Sequence, residues 1–201
     1  MKLKSLLLVV LALMSSHLSA KQSSIYIKIT TDLGIVKMAL YAEKAPITVA
    51  NFLKYVDAEL YTGGEFVRTV RYDNDNGSPK IEVIQGTARP AAKLLSPIKL
   101  ETTKVTDIRH TDGVISMARD TPDSAQDQFF IVIGTQPSLD FGGMRNKDGL
   151  GFAAFGVVSE GMDIIKKINA MRETKESDSE YTKGQYLKDP VKILNIIREN
   201  P

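Results

Sequence analysis

The chain has no cysteine, and only two histidines occur among its 201 residues. These absences argue against the usual zinc ligand sets and against Ser-His and Cys-His nucleophile systems. They also leave no residues for disulfide bonds, which is compatible with an oxidising compartment without demonstrating one. The chemistry of this protein therefore has to come from other side chains.

Long hydrophobic runs are also scarce. The apolar run from Leu6 to Met14 is too short to span a bilayer. It follows Lys2 and Lys4 and precedes a polar stretch that ends at Ala20, which is the three-part pattern of a secretory signal peptide. We predict a signal peptide over residues 1–20 with cleavage after Ala20. The alternative is a retained N-terminal anchor.

The remaining chain has no excess of charge. Without residues 1–20, which include Lys2 and Lys4, 24 of the 26 basic residues remain, equal in number to the 24 acidic residues. His110 is then the only histidine. A neutral balance argues against a nucleic-acid surface. Residues 21–201 are expected to form a single domain, monomeric and not stably associated with a membrane. Export without disulfides suits a bacterial periplasm.

Alternating apolar residues indicate a protein built mainly of β-strands. Residues 25–41 predict a hairpin, and helical spacing predicts helices over Pro46–Glu59 and from near Glu160. Some eight short strands with two helices favour a closed, eight-stranded antiparallel β-barrel whose ends the helices cap. The other predicted strands are 65–70, 81–85, 99–103, 113–118, 129–133, 152–158 and 191–197, with polar loops at 71–80 and 173–189.

Two motif matches are rejected. Gly149 to Ala154 fits a dinucleotide-binding pattern, but a strand-like segment follows where a helix is needed. The run from Asp73 to Ser78 hints at a calcium loop, but its glycine is one place early and Ile84 stands where the bidentate Glu belongs. A polar turn is the simpler interpretation.

Arg68 is the most informative polar residue. It lies within a short apolar strand, where a guanidinium needs water, a carboxylate or a ligand. A surface ion pair is the default explanation. By the same standard Gln85, at a strand end, and Phe130, in an apolar run, would be structural.

Several segments in order change that interpretation. They are FVR at 66–68, VIQG at 83–86, RHTDGVISMA at 109–118, QFF at 128–130 and FAAFGVVSEGMDII at 152–165. Together they resemble the cyclophilins, a family of peptidyl-prolyl cis-trans isomerases. The hairpin and APITVANFLKYV at 45–56 also resemble the family's opening. The resemblance extends from about Ile25 to Ile197.

The resemblance implies a substrate groove for proline-containing, unfolded or partly folded polypeptides, with no metal or other cofactor. Arg68 would be the catalytic arginine and Gln85 its polar companion. Phe130 and Leu139 would form the proline pocket, and Arg119 would hold the peptide through its backbone. The complete set of implied substrate-binding residues is Val83, Met117, Ala118, Arg119, Gln128, Phe130, Leu139 and Phe152.

Arginine suits this reaction for a physical reason. Rotation about an X-Pro bond is opposed by amide resonance, a barrier of about 18–20 kcal/mol. In the twisted transition state the prolyl nitrogen regains a lone pair, to which a fixed N–H can donate a hydrogen bond. Arg68 stays protonated and can present such an N–H.

The sequence also departs from the family pattern. A Phe-Met pair usually precedes the glutamine, whereas here loop 71–80 is inserted and Val83 is expected to fill only part of the missing aromatic wall. Phe152 stands where the family has a pocket histidine, and Ser138 where eukaryotic members have a tryptophan, so weak cyclosporin binding is expected. The missing Phe-Met pair supports an alternative function, a cyclophilin-fold peptide-binding module or chaperone with little or no catalysis.

Overall fold

The computed structural model describes residues 24–199, and the predicted signal peptide lies outside them. Eight antiparallel strands form a closed barrel in the order β1-β2-β7-β5-β6-β4-β3-β8, which confirms the predicted fold class. The strands are β1 (Ile25–Thr31), β2 (Gly34–Leu40), β3 (Gly64–Val70), β4 (Val83–Thr87), β5 (Val114–Met117), β6 (Phe129–Val132), β7 (Ala153–Glu160) and β8 (Tyr186–Glu199).

Two longer helices accompany the barrel, as predicted, at α1 (Pro46–Asp57) and α3 (Met162–Asn169). The predicted strand at 99–103 does not form, because residues 99–102 have no regular secondary structure and a short helix α2 (Thr103–Thr106) begins at the end of that segment. A 3-10 turn covers Pro137–Leu139. Between residues 24 and 199, no helix is long and apolar enough to cross a membrane.

The barrel interior is filled by aromatic side chains. Phe52 of α1 packs against Tyr61, Phe129 and Phe155 with ring centroids 5.1–5.5 Å apart, and none of these rings is exposed. Aromatic pairs at such distances contribute beyond the burial of their area. Helix α1 is therefore part of the core.

The start of α1 is stabilised by a distant carboxylate. Ala45 provides no side-chain cap, and Pro46 removes one N–H from the first turn. Glu101 accepts hydrogen bonds from the backbone N–H groups of Ile47 and Thr48, at 3.1 and 2.8 Å, and from the Thr48 hydroxyl at 2.7 Å. An anion there also favours the positive end of the helix dipole.

Strand β8 begins earlier than the sequence pattern predicted. The polar composition of 173–189 indicated a loop that ended at Asp189, but pairing with β3 starts at Tyr186. Gln185, just before the strand, has no exposed surface. The C-terminal part of this segment is therefore built into the barrel wall.

Candidate active site

A β-bulge in β3 turns Arg68 out of the barrel. Phe66 pairs with Gly86, yet Arg68 pairs with Gln85, so two steps along β3 match one step along β4. Side chains alternate between faces along a strand, and without the extra residue Arg68 would share the inward direction of Phe66. The bulge places Arg68 beside Gln85 on the outer face.

Gly86 allows the aromatic core to approach this point closely. A Cβ at Gly86 would lie 2.6 Å from Cζ of Phe129, a ring that is fully buried. The VIQG motif therefore combines two needs: Gln85 faces outward toward Arg68, and Gly86 leaves room for the ring beneath it.

Strand register aligns the site residues across the sheet. Gln85 of β4 lies opposite Phe130 of β6, and Phe130 lies opposite Ser116 of β5. On the other side, Arg68 lies opposite Tyr186 of β8. Residues far apart in sequence are thus brought into one row.

This row lies along an open groove with a volume of about 390 Å3. Nine of the ten residues implied by the resemblance line it: Arg68, Val83, Gln85, Ala118, Arg119, Gln128, Phe130, Leu139 and Phe152. Met117 does not line the groove, because its side chain is fully buried in the core. Adjacent residues of an extended segment face opposite sides, so Ala118 faces the groove and Met117 the interior.

The floor of the groove is apolar. Phe130 and Phe152 meet edge to face with centroids 5.2 Å apart, and Leu139 is fully buried next to them in the groove lining. Such a surface suits a pyrrolidine ring, which carries no hydrogen-bonding group of its own.

The side chain of Arg119 is hydrogen-bonded within the protein. Its guanidinium donates to the Gly151 carbonyl oxygen and pairs with Asp148, at distances of 2.6–2.9 Å. It also lies 5.5 Å from the ring centroid of Phe152. This anchoring agrees with the expectation that only the backbone at this position faces a peptide.

Arg68 is held by two neutral side chains. Its Nε and Nη2 donate to Oε1 of Gln185 at 2.9 and 2.5 Å, and its Nη1 donates to Oε1 of Gln85 at 3.1 Å. No described carboxylate forms an ion pair with it, so the default explanation from sequence does not apply. Burial lowers the pKa of Arg68, an effect that the nearby Tyr181 and Tyr186 oppose.

The structure also aligns Ser116, His110 and Asp140. The Nε2 of His110 lies 3.0 Å from the Ser116 hydroxyl, and its Nδ1 lies 2.8 Å from Asp140. The sequence argument against a Ser-His pair did not foresee this contact. Ser116 has no exposed surface, however, so a substrate carbonyl cannot reach it. The imidazole instead stacks behind Phe130, with centroids 6.0 Å apart.

Sequence reasoning missed the residues that surround Arg68 from the C-terminal side. Gln185, Tyr181 and Tyr186 come from the segment that was expected to be a surface loop, and Arg145 from a turn-rich stretch. The only available signal was the pair of aromatic residues within an otherwise polar segment.

Within residues 24–199, no group of three or more carboxylate or histidine side chains is placed to hold a metal ion.

Comparisons with known proteins agree with this geometry. The family model of the cyclophilin-type peptidyl-prolyl cis-trans isomerases matches residues 26–197. The chain belongs to that family, and it is thereby an isomerase.

Individual relatives give the same result. The chain is 33% identical over 190 residues to a peptidyl-prolyl cis-trans isomerase of Acinetobacter baylyi, covering 92% of this chain and 89% of the relative. It is 34% identical to peptidyl-prolyl cis-trans isomerase A of Dickeya dadantii over 155 residues, covering 76% and 75%. Peptidyl-prolyl cis-trans isomerase B of Escherichia coli is also 34% identical, with 70% of this chain and 82% of the relative covered.

The fold has solved counterparts as well. A crystal structure of a cyclophilin type peptidyl-prolyl cis-trans isomerase from Cryptosporidium parvum superposes with a TM-score of 0.64 at 17% identity, covering 89% of this chain and 99% of that one. A second structure of the same protein, in the presence of the dipeptide Ala-Pro, gives a TM-score of 0.62 at 18% identity, covering 88% and 99%.

Proposed function

We propose that this protein accelerates X-Pro isomerisation in unfolded or partly folded polypeptides, with Arg68 stabilising the twisted amide. The observation that carries the proposal is the position of Arg68, which lies beside an apolar groove and is held by glutamines rather than by a carboxylate. Its charge therefore remains available to a lone pair that develops on the prolyl nitrogen.

The geometry of the guanidinium supports this role. Three of its N–H groups donate to Gln85 and Gln185, which fixes the plane of the guanidinium. One N–H on each terminal nitrogen is not held by either glutamine. A pre-oriented donor costs no reorganisation at the transition state, which is the condition for lowering the barrier.

The test is a protease-free isomerisation assay in which residues 21–201 of this protein act on a short X-Pro peptide. We expect faster relaxation than in buffer, and Arg68→Ala should lower kcat/KM by about 100-fold or more. Peptide affinity, measured by calorimetry, should change by less than about fivefold, because the lone pair exists only in the transition state. Arg68→Lys is the matched variant that keeps charge but loses the planar donor set.

The second candidate is a peptide-binding module or chaperone. Val83 lines the groove where the family pattern has an aromatic side chain. This favours the second candidate, because a proline ring in the groove would be contacted on fewer sides. A binder without catalysis would give the uncatalysed rate in both wild type and Arg68→Ala while it still bound the peptide.

We also propose that the protein is exported to a bacterial periplasm and acts there as a monomer. The basic, apolar and polar order of residues 1–20 supports export. Fractionation of the native host, with N-terminal sequencing of the purified protein, should find Lys21 as the first residue. A cytoplasmic protein that retains Met1 would overturn this proposal.

A further inference from the structure

The inserted loop 71–80 does not line the substrate groove. None of residues 71–80 lines the groove, although all ten are described, whereas Arg68 before the loop and Ile81 after it both do. A loop that selects substrates by direct contact would have to reach the groove. Its contacts point instead to the segment that precedes β8.

Those contacts fix the side chain of Gln185. The backbone carbonyl of Asn74 accepts a hydrogen bond from Nε2 of Gln185 at 2.8 Å. The side-chain Nδ2 of Asn74 in turn donates to the backbone carbonyl oxygens of Thr69 and Gly184, at 3.1 and 2.9 Å. Because the Gln185 nitrogen must face a carbonyl, its oxygen must face Arg68, and the buried amide has a single orientation.

The loop is itself anchored by a buried ion pair. Arg145 donates to both carboxylate oxygens of Asp75, at 2.7 and 2.8 Å, and the two side chains are almost fully buried. Arg145 also donates to the hydroxyl of Tyr181 at 2.9 Å, and the Tyr181 ring lies 5.6 Å from the Arg68 guanidinium. The loop, Gln185 and Arg68 thus form one continuous set of contacts.

We infer that Gln185 is a positioning residue for Arg68 and that loop 71–80 orients Gln185. The insertion then acts on the rate of isomerisation and not on the choice of peptide. This inference rests on the proposed function of Arg68. The contact with Gln185 holds the arginine in place without a carboxylate. A carboxylate in the same position would draw the positive charge away from the substrate.

The first test compares Gln185→Met with Gln185→Glu in isomerisation kinetics. Methionine keeps the volume but loses all three side-chain hydrogen bonds of Gln185, and we expect kcat to fall by about 10- to 100-fold with KM within about twofold. Glutamate restores an acceptor for Arg68 but also adds a carboxylate that draws its charge away, so its kcat should lie above that of the methionine variant and below that of wild type. Glu101→Gln is the control, because it weakens α1 without any contact to Arg68.

A second measurement follows the Nε–H resonance of Arg68 by NMR, assigned through its absence in Arg68→Lys. Gln185→Met should speed its exchange with water, and Gln185→Glu should keep it protected. A role limited to packing would leave kcat and this exchange unchanged in Gln185→Met, and either result would overturn the inference. If wild type does not catalyse, the proposed function fails, while the exchange rates still test the positioning.

The contribution of the loop is tested with Asn74→Leu, which removes its side-chain hydrogen bonds to Thr69 and Gly184. We expect kcat to fall with KM unchanged, and the double variant with Gln185→Met should be no slower than Gln185→Met alone. Multiplicative losses in the double variant would show that loop and glutamine act independently. A change in preference among X-Pro peptides would show that the loop selects substrates and would overturn the inference.

Discussion

Phe130 shows how one residue can serve both the core and the groove. Its ring is 5% exposed, and it packs between the imidazole of His110 and the ring of Phe152. The exposed edge belongs to the groove, and the rest belongs to the protein interior. Removing the ring should therefore affect stability and peptide binding together.

We expect Phe130→Ala to lower the free energy of unfolding by about 3–5 kcal/mol, because it leaves a cavity between two rings. KM should rise at least about tenfold, since the proposed proline pocket loses one of its rings. Urea unfolding and isomerisation kinetics on the same preparations measure the two effects. Phe141→Ala, at a more exposed ring that does not line the groove, is the control. An unchanged KM in Phe130→Ala would contradict the placement of the proline pocket.

At the scale of elements, helix α1 depends on a residue 53 to 54 positions away. Glu101 stands in for the side-chain cap that Ala45 cannot provide. It thereby connects the segment before α2 to the helix whose Phe52 packs into the aromatic core.

Glu101→Gln should lower the free energy of unfolding by about 1 kcal/mol, because a neutral amide accepts more weakly at the helix start than a carboxylate. The isomerisation rate should stay the same. Glu160→Gln removes an exposed ion pair with Lys37 and should cost less than about 0.5 kcal/mol. Equal losses in the two variants would show that Glu101 does not stabilise α1.

At the scale of the whole molecule, the Asp75 and Arg145 ion pair links two segments 70 residues apart. Burial by itself raises the pKa of Asp75, but hydrogen bonds from Arg145 and from the backbone of Gly77 and Ile81 outweigh it. The pKa of Asp75 is therefore lower than its ordinary value. Replacing one partner would leave the other charge buried and unpaired.

Asp75→Asn should lower the free energy of unfolding by about 3–5 kcal/mol at neutral pH. Because the pKa of Asp75 is lower in the folded state, its contribution is present above the unfolded-state value and is lost as the pH falls below about 4. Denaturant titrations from pH 7 to pH 3 should show a weaker acid dependence in Asp75→Asn than in wild type. Asp57→Asn, which removes an ion pair between exposed side chains, should cost less than about 1 kcal/mol at neutral pH.

The sequence predicted what depends on local pattern. Helical spacing predicted α1 and α3, and the strand patterns predicted the barrel strands together with a strand at 99–103 that does not form. Nine of the ten residues implied by the ordered motifs line the groove. Gln185 could not be predicted, because its contact with Arg68 spans 117 positions and no local periodicity marks it. The acidic run at 73–78 looked like a metal loop or a turn, while the structure pairs its Asp75 with Arg145. Contacts between two irregular segments leave no regular signature in either.

The position of β8 sets the order in which this protein can become active during its synthesis. Strand β8 pairs with both β1 and β3, so the barrel closes only when Tyr186–Glu199 is in place. Gln185 immediately precedes that strand, and the support of Arg68 is completed by the same stretch of chain. An emerging chain that ends before Gln185 has neither a closed barrel nor a fixed arginine. On the proposed role of Arg68, an unfinished chain is therefore inactive until Tyr186–Glu199 has joined the barrel.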